Sequence, residues 1–106
     1  MSNLPKTIKI GHFTYKVEYE DANFDERLQV GKQRITSTLD LQNWAIVISD
    51  TEPEEVQRTA LLVSTLELID KYTSTDLSKQ DLIAIAFHLY GVLKANPDLL
   101  PRGSDG

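Results

Sequence analysis

The chain has no cysteine among its 106 residues. That excludes disulfide staples, thiolate metal sites and a cysteine nucleophile in one step, and it suits a reducing cytoplasm. No apolar run approaches the roughly 18 residues of a membrane-spanning helix. The opening residues MSNLPKTIKIGHF hold no stretch apolar enough for a signal peptide. Excess positive charge is also missing: the net charge is −5, which argues against a broad attraction to nucleic acid phosphate. The few basic clusters, at 6–9 and 31–34, are sparse. No glycine-rich phosphate loop is present. These absences predict a cytoplasmic protein without membrane or nucleic acid as partner.

What is present belongs to a globular domain. Hydrophobic residues make up 41% and charged residues 25%, enough for one core and, at this length, too little for two. Residues 7–19, TIKIGHFTYKVEY, alternate apolar and polar on both sides of Gly11-His12. This predicts two short antiparallel strands or one bent strand, with Gly11 at the turn. The acidic segment at 20–27 reads as a loop, anchored by Phe24 and Leu28. Residues 28–40 hold a strand-like start, a glycine turn and a polar run. WAIVIS at 44–49 is the clearest strand, with Trp44, Ile46 and Ile48 on one face and Ala45 and Val47 on the other, covered on both. A strand from Arg34 to Leu39 pairs with it through a turn at Asp40–Asn43.

Residues 50–72 read as the central helix. Thr51-Glu52-Pro53-Glu54 forms a T-x-x-E capping box, and its acids suit the positive end of the helix dipole. From Val56 to Tyr72 apolar residues cover most of the circumference, leaving a narrow polar sector of Gln57, Ser64, Glu67 and Lys71. A second cap at Ser78 opens a helix over 81–96, with a stripe of Leu82, Ile85, Ala86, Leu89 and Leu93 widened by Ile83, Phe87 and Tyr90. Gly91 would let a neighbour approach closely, and Asn96-Pro97 ends the helix. The sheet must cover these helices, so the expected fold is α+β: three or four mostly antiparallel strands, then two helices, as one domain over residues 1–99. Residues 100–106 read as a disordered tail whose LPRGS resembles a protease-tag remnant.

The order I-x-I-G-x-x-x-Y-x-V, a strand, an acid-rich cap and RTALLVSTLELI resembles the small zinc-metallopeptidase-like proteins of phages and prophages, related to the ImmA/IrrE peptidases. Their last helix ends in L-Y-x-x-L-x-x-N-P-x-L, and residues 89–99 match that ending. The resemblance spans residues 7–99. It implies an H-E-x-x-H motif, in which two histidines at i and i+4 share a zinc ion and the glutamate acts as general base. Here those five positions are Val63-Ser64-Thr65-Leu66-Glu67. Valine cannot ligate a metal and serine is no base for a zinc-bound water. The resemblance places a third, acidic ligand near Gln80 or Asp81. No cofactor, no metal and no catalytic residue are therefore expected.

Few other candidates remain. Glu67 is expected to pair with Lys71 at i+4, and Glu67 with Asp70 to form a charged helix edge rather than a paired-acid site. His12 and His88 lie far apart in sequence, and Ser64 lacks a histidine partner or a glycine-flanked elbow. If Trp44, Phe13, Tyr15 and Tyr19 prove exposed together, they mark a partner site. The leading expectation is a non-enzymatic protein-interaction module of phage or prophage type, acting on an unknown host or phage protein. Its binding surface would be the former cleft at Val63, Ser64, Glu67 and Asp70. The alternatives are a divergent metal-dependent hydrolase using Glu67, Asp81 and a histidine, and a small homo-oligomeric structural protein.

Overall fold

A computed structural model describes residues 4–100. The expected tail therefore lies, Leu100 apart, outside the described residues. The elements follow the order β1 (Thr7–Ile10), β2 (Phe13–Glu20), β3 (Gln29–Val30), β4 (Gln33–Arg34), β5 (Ser37–Asp40), β6 (Ala45–Ser49), α1 (Glu54–Thr73) and α2 (Lys79–Ala95). The main sheet is four-stranded, in the order β1-β2-β6-β5, and β3 with β4 forms a separate small hairpin. The fold is α+β, sheet first and helices last. The sheet is mixed: β1/β2 and β5/β6 are antiparallel, whereas β2 and β6 run parallel. No helix among the described residues is long and apolar enough to cross a membrane.

Strand β1 turns into β2 over Gly11-His12, with Ile10 opposite Phe13. Gly11 takes a φ of +60 there, which costs a glycine little. The alternation then puts Tyr15 and Val17 on the same side as Ile46 and Ile48 of β6, packed against Ala60, Leu61 and Leu68 of α1. Ile46 and Ile48 have no exposed surface at all; burying each contributes about 1.5–3 kcal/mol. The opposite face of β6 is covered too, where Val47 packs with Ala22, Leu28 and Ile35. Strand β6 is thus buried on both faces, as its continuous apolar run predicts.

The cover over Val47 is an irregular loop held by charge. Arg27, in the 3-10 turn Glu26–Leu28, donates from Nε and Nη2 to the two Asp25 oxygens at 3.0 and 2.7 Å. It also reaches Asp40 at 2.9 Å and Glu18 at 2.8 Å. One guanidinium therefore ties the loop to the end of β5 and the outer face of β2. Phe24 does not anchor this loop. Asp21 accepts the amide of Asn23 through its side chain and those of Phe24 and Asp25 through its carbonyl, a tight turn that leaves Phe24 84% exposed. Ala22 and Leu28 fill the space instead.

Three further expectations are corrected. Trp44 is not the first residue of β6: it ends the 3-10 turn Leu41–Asn43 with a left-handed φ of 53, half exposed. Helix α1 starts at Glu54 with no side-chain cap. Proline at 53 disfavours helical geometry at Glu52, so the turn cannot close from Thr51. Thr51 Oγ1 meets Ser49 Oγ at 2.8 Å, Glu54 pairs with Arg58, and the Gln57 amide donates to the Glu52 carbonyl at 2.7 Å. Gly91 is exposed, and a Cβ there would touch nothing within 4 Å. The cap of α2 is as expected, with Ser78 Oγ accepting from the Asp81 amide at 3.0 Å.

The Arg27 cluster makes stability depend on pH. Hydrogen bonding from Arg27 holds the Asp25 carboxyl below its ordinary 3.8. The Asn43 amide, followed by Arg27, lowers Asp40 in the same way. Depressed carboxyls contribute stability that is complete above the unfolded value and is lost as pH falls through the folded one. Urea midpoints should therefore drop between neutral pH and about pH 3, and Arg27→Gln should narrow that difference while lowering the neutral midpoint. An unchanged difference would place the acid sensitivity elsewhere.

Candidate functional site

The four candidate cleft residues do not share one cleft. Ser64 has no exposed surface and sits under the sheet, its hydroxyl donating to Ser37 Oγ at 3.2 Å. Glu67 turns toward the start of α2 and pairs with Lys79 at 3.0 Å, not with Lys71. Asp70 accepts from the Thr75 hydroxyl and from the Leu77 amide at 3.1 Å. It closes the α1–α2 turn, and the Thr75 bond is the main reason its carboxyl titrates lower than usual. Only Val63 reaches a surface concavity. The face of α1 that carries Gln57, Ala60, Leu61, Ser64 and Leu68 meets the sheet, so the polar sector read from the sequence is partly a buried one.

Val63 lines a groove of about 600 Å³. Helix α1 provides its floor through Val56, Thr59, Ala60 and Val63. Residues 34–37, leading into β5, form one wall, and Ile83, Phe87 and Tyr90 of α2 form the other. The lining is mostly carbon. The groove exists because α2 packs on α1 and not on the sheet, which leaves a gap above α1 beside the sheet edge. Leu82 and Ala86 are buried against α1, while Ile83, Ile85 and Phe87 stay exposed, Phe87 by 60%.

The groove wall is also an unpaired strand edge. β5 pairs only with β6. The Ser49 amide donates to the Thr36 carbonyl at 2.9 Å, and Ser37 lies opposite Ile48. Antiparallel alternation therefore directs the main-chain groups of Thr36, Thr38 and Asp40 toward β6, and those of Ser37 and Leu39 outward. Of the charges around the groove, Glu55 is paired with Lys94, which pulls its carboxyl down, and Lys79 with Glu67. Arg34 at the rim pairs with no carboxylate among the described residues.

A second concavity of about 230 Å³ lies toward the other end of α1, lined by Tyr15, Leu41, Trp44, Leu68, Lys71 and Tyr72. Phe13 stacks on Trp44 with ring centroids 5.2 Å apart and on Tyr72 at 5.6 Å. Tyr15 is buried beneath them and its hydroxyl meets that of Tyr72. Burial, then the Tyr72 bond, pushes the Tyr15 phenol up to about 12. Of the aromatics named from the sequence, Phe13 and Trp44 are exposed together; Tyr15 and Tyr19 belong to the core.

His12 and His88 are both exposed. Among the described residues no three His, Asp or Glu side chains converge as metal ligands. No protein-family model, curated protein sequence or solved structure matches the chain.

Sequence reasoning named Val63, Ile83 and Phe87 without seeing that they meet. The available signal was the α2 stripe, whose apolar sector is wider than one neighbouring helix can cover. Arg34 and the β5 edge had no local signal, because both depend on which strand ends the sheet. The buried position of Ser64 generates a test. A carboxylate at that position would sit against Ser37, away from the groove and without a cation. Ser64→Glu should therefore destabilise the fold by several kcal/mol, on the order of 3–5, seen as a large loss of thermal midpoint. Ser64→Ala should cost about 1 kcal/mol.

Proposed function

We propose that this chain is a catalytically inactive, metallopeptidase-like phage or prophage protein that works by binding a segment of a host or phage protein. One observation carries this reading: an apolar groove lies between an unpaired sheet edge and α2, over Val63. Val63 is where the resemblance would put the first zinc-binding histidine. An extended segment laid along β5 can exchange hydrogen bonds with the outward main-chain groups of Ser37 and Leu39. Its alternate side chains then enter the groove beside Phe87 and Ile83, and Arg34 can meet an acidic residue. Main-chain bonds supply affinity without regard to sequence, and the groove selects apolar side chains.

Affinity purification from the native host with the full chain as bait tests this reading. A specific protein should be retained by the wild type and reduced at least about tenfold by Phe87→Gln, since a central aromatic anchor is worth 2 kcal/mol or more. Phe87 is exposed, so circular dichroism and the thermal midpoint should not change. Equal retention by wild type and Phe87→Gln, or no retained protein, would count against the groove.

A further inference from the structure

We propose that the slot between Trp44 and Tyr72 is a second docking site, built for an extended segment that presents a proline with an acidic residue beside it. It stands apart from the groove, toward the other end of α1, and does not rest on the function proposed above. The ring faces come first. Trp44 and Tyr72 each keep 47% of their surface exposed, with Phe13 stacked against both and Tyr15 and Leu68 as the floor. Single exposed apolar residues are ordinary, but a contiguous group of Trp, Tyr and Phe is the composition that dominates protein interfaces. Near-parallel aromatic walls also admit the flat ring of a proline in polyproline II geometry, a conformation that is ordered before it binds.

The chemistry of the lining narrows the choice. Almost no polar atom faces the slot apart from Lys71, because the two tyrosine hydroxyls are spent on each other. An ordinary residue inserted there would bring a main-chain N–H that finds no acceptor, whereas proline has none. The volume of about 230 Å³ is near that of eight liquid waters. It holds one ring and its flanks, not a folded element.

Charge decides the neighbour. Lys71 is exposed on the slot's lining and forms no ion pair among the described residues. Its neighbour Asp70 is turned to Thr75 and Leu77, and no carboxylate lines the slot. On a chain of net charge −5 this is a locally basic spot on an aromatic surface. An ammonium ligand, which aromatic faces otherwise attract, would be repelled by Lys71. A carboxylate next to the proline is the complementary group.

The backbone of Trp44 points the same way. It holds a left-handed φ of 53 at the end of a 3-10 turn, where glycine or asparagine is favoured and a bulky side chain costs about 1 kcal/mol. That geometry brings the indole onto Phe13 and Tyr15 instead of leaving it in line with β6.

Trp44 is the sole tryptophan, so its fluorescence reports the slot directly in the full chain. The probes are short synthetic peptides of repeated Pro-Pro-Glu, Pro-Pro-Lys and Ser-Ser-Glu. Pro-Pro-Glu should change the emission saturably below about millimolar concentration, and Ser-Ser-Glu should not. Lys71→Glu, an exposed helix position, should weaken Pro-Pro-Glu about fivefold and reverse the preference toward Pro-Pro-Lys. Phe87→Gln should leave the response intact, which separates this site from the groove. No saturable change with Pro-Pro-Glu, an equal response to Ser-Ser-Glu, or indifference to Lys71→Glu would overturn the proposal. So would an emission shift that follows protein concentration alone together with dimers in sedimentation, since the occupant would then be a second copy.

Discussion

Strand β6 meets water on neither face, and the remaining structure is arranged to keep it so. Its five residues are all buried, and each face needs its own cover. The helix α1 covers Ile46 and Ile48, as a helix of that length can. The other face is covered by a loop with little regular structure, whose apolar contribution is small: Ala22, Leu28 and Ile35 around Val47. Such a loop holds its place only if something other than burial fixes it, and Arg27 supplies that. Its bonds to Asp25, Asp40 and Glu18 join the loop to two different strands. The polar ends of β6 are settled in the same economical way, Ser49 with Thr51.

The same constraint sets what α1 must be. A helix that lies under the sheet on one side and carries α2 on another has little surface left for solvent, so its polar residues fall inside as well as outside. Ser64 is tolerated in the core because Ser37 of β5 faces it, and Gln57 because its amide serves the turn before the helix. Helix α2 is in the opposite position. It has one neighbour, and Leu82 and Ala86 satisfy that contact. Its remaining apolar residues are therefore surplus to the core, and they line a groove whose far wall is a strand edge. The two concavities thus have one origin: a two-layer domain whose second helix leaves both ends of α1 partly uncovered.

Much of this was legible locally. The hairpin at Gly11, the cap at Ser78, the stop at Asn96-Pro97 and the double burial of β6 are each written in a few neighbouring residues, because turn geometry, capping and apolar runs are short-range physics. The misreadings were of residues whose fate depends on distant partners. Trp44 looks like a strand residue until the 3-10 turn before it is known. Phe24 looks like an anchor until Asp21 organises its turn. Thr51 and Glu54 have capping-box spacing, yet proline between them moves the helix start. Of the candidate site, Val63 was named for the right surface, while Ser64, Glu67 and Asp70 went to three different tasks: core, helix pairing and turn.

By itself the sequence determined the α+β class, the two helices and their approximate ends, and the absence of thiol chemistry. Periodicity, composition and capping act within a few residues and do not need the fold. Only the tertiary structure decided which strand would be the edge, which of α2's apolar residues would stay uncovered, and that Lys71 and Arg34 would be left without carboxylate partners among the described residues. Those properties depend on which elements become neighbours, and no window of the chain contains both members of such a pair.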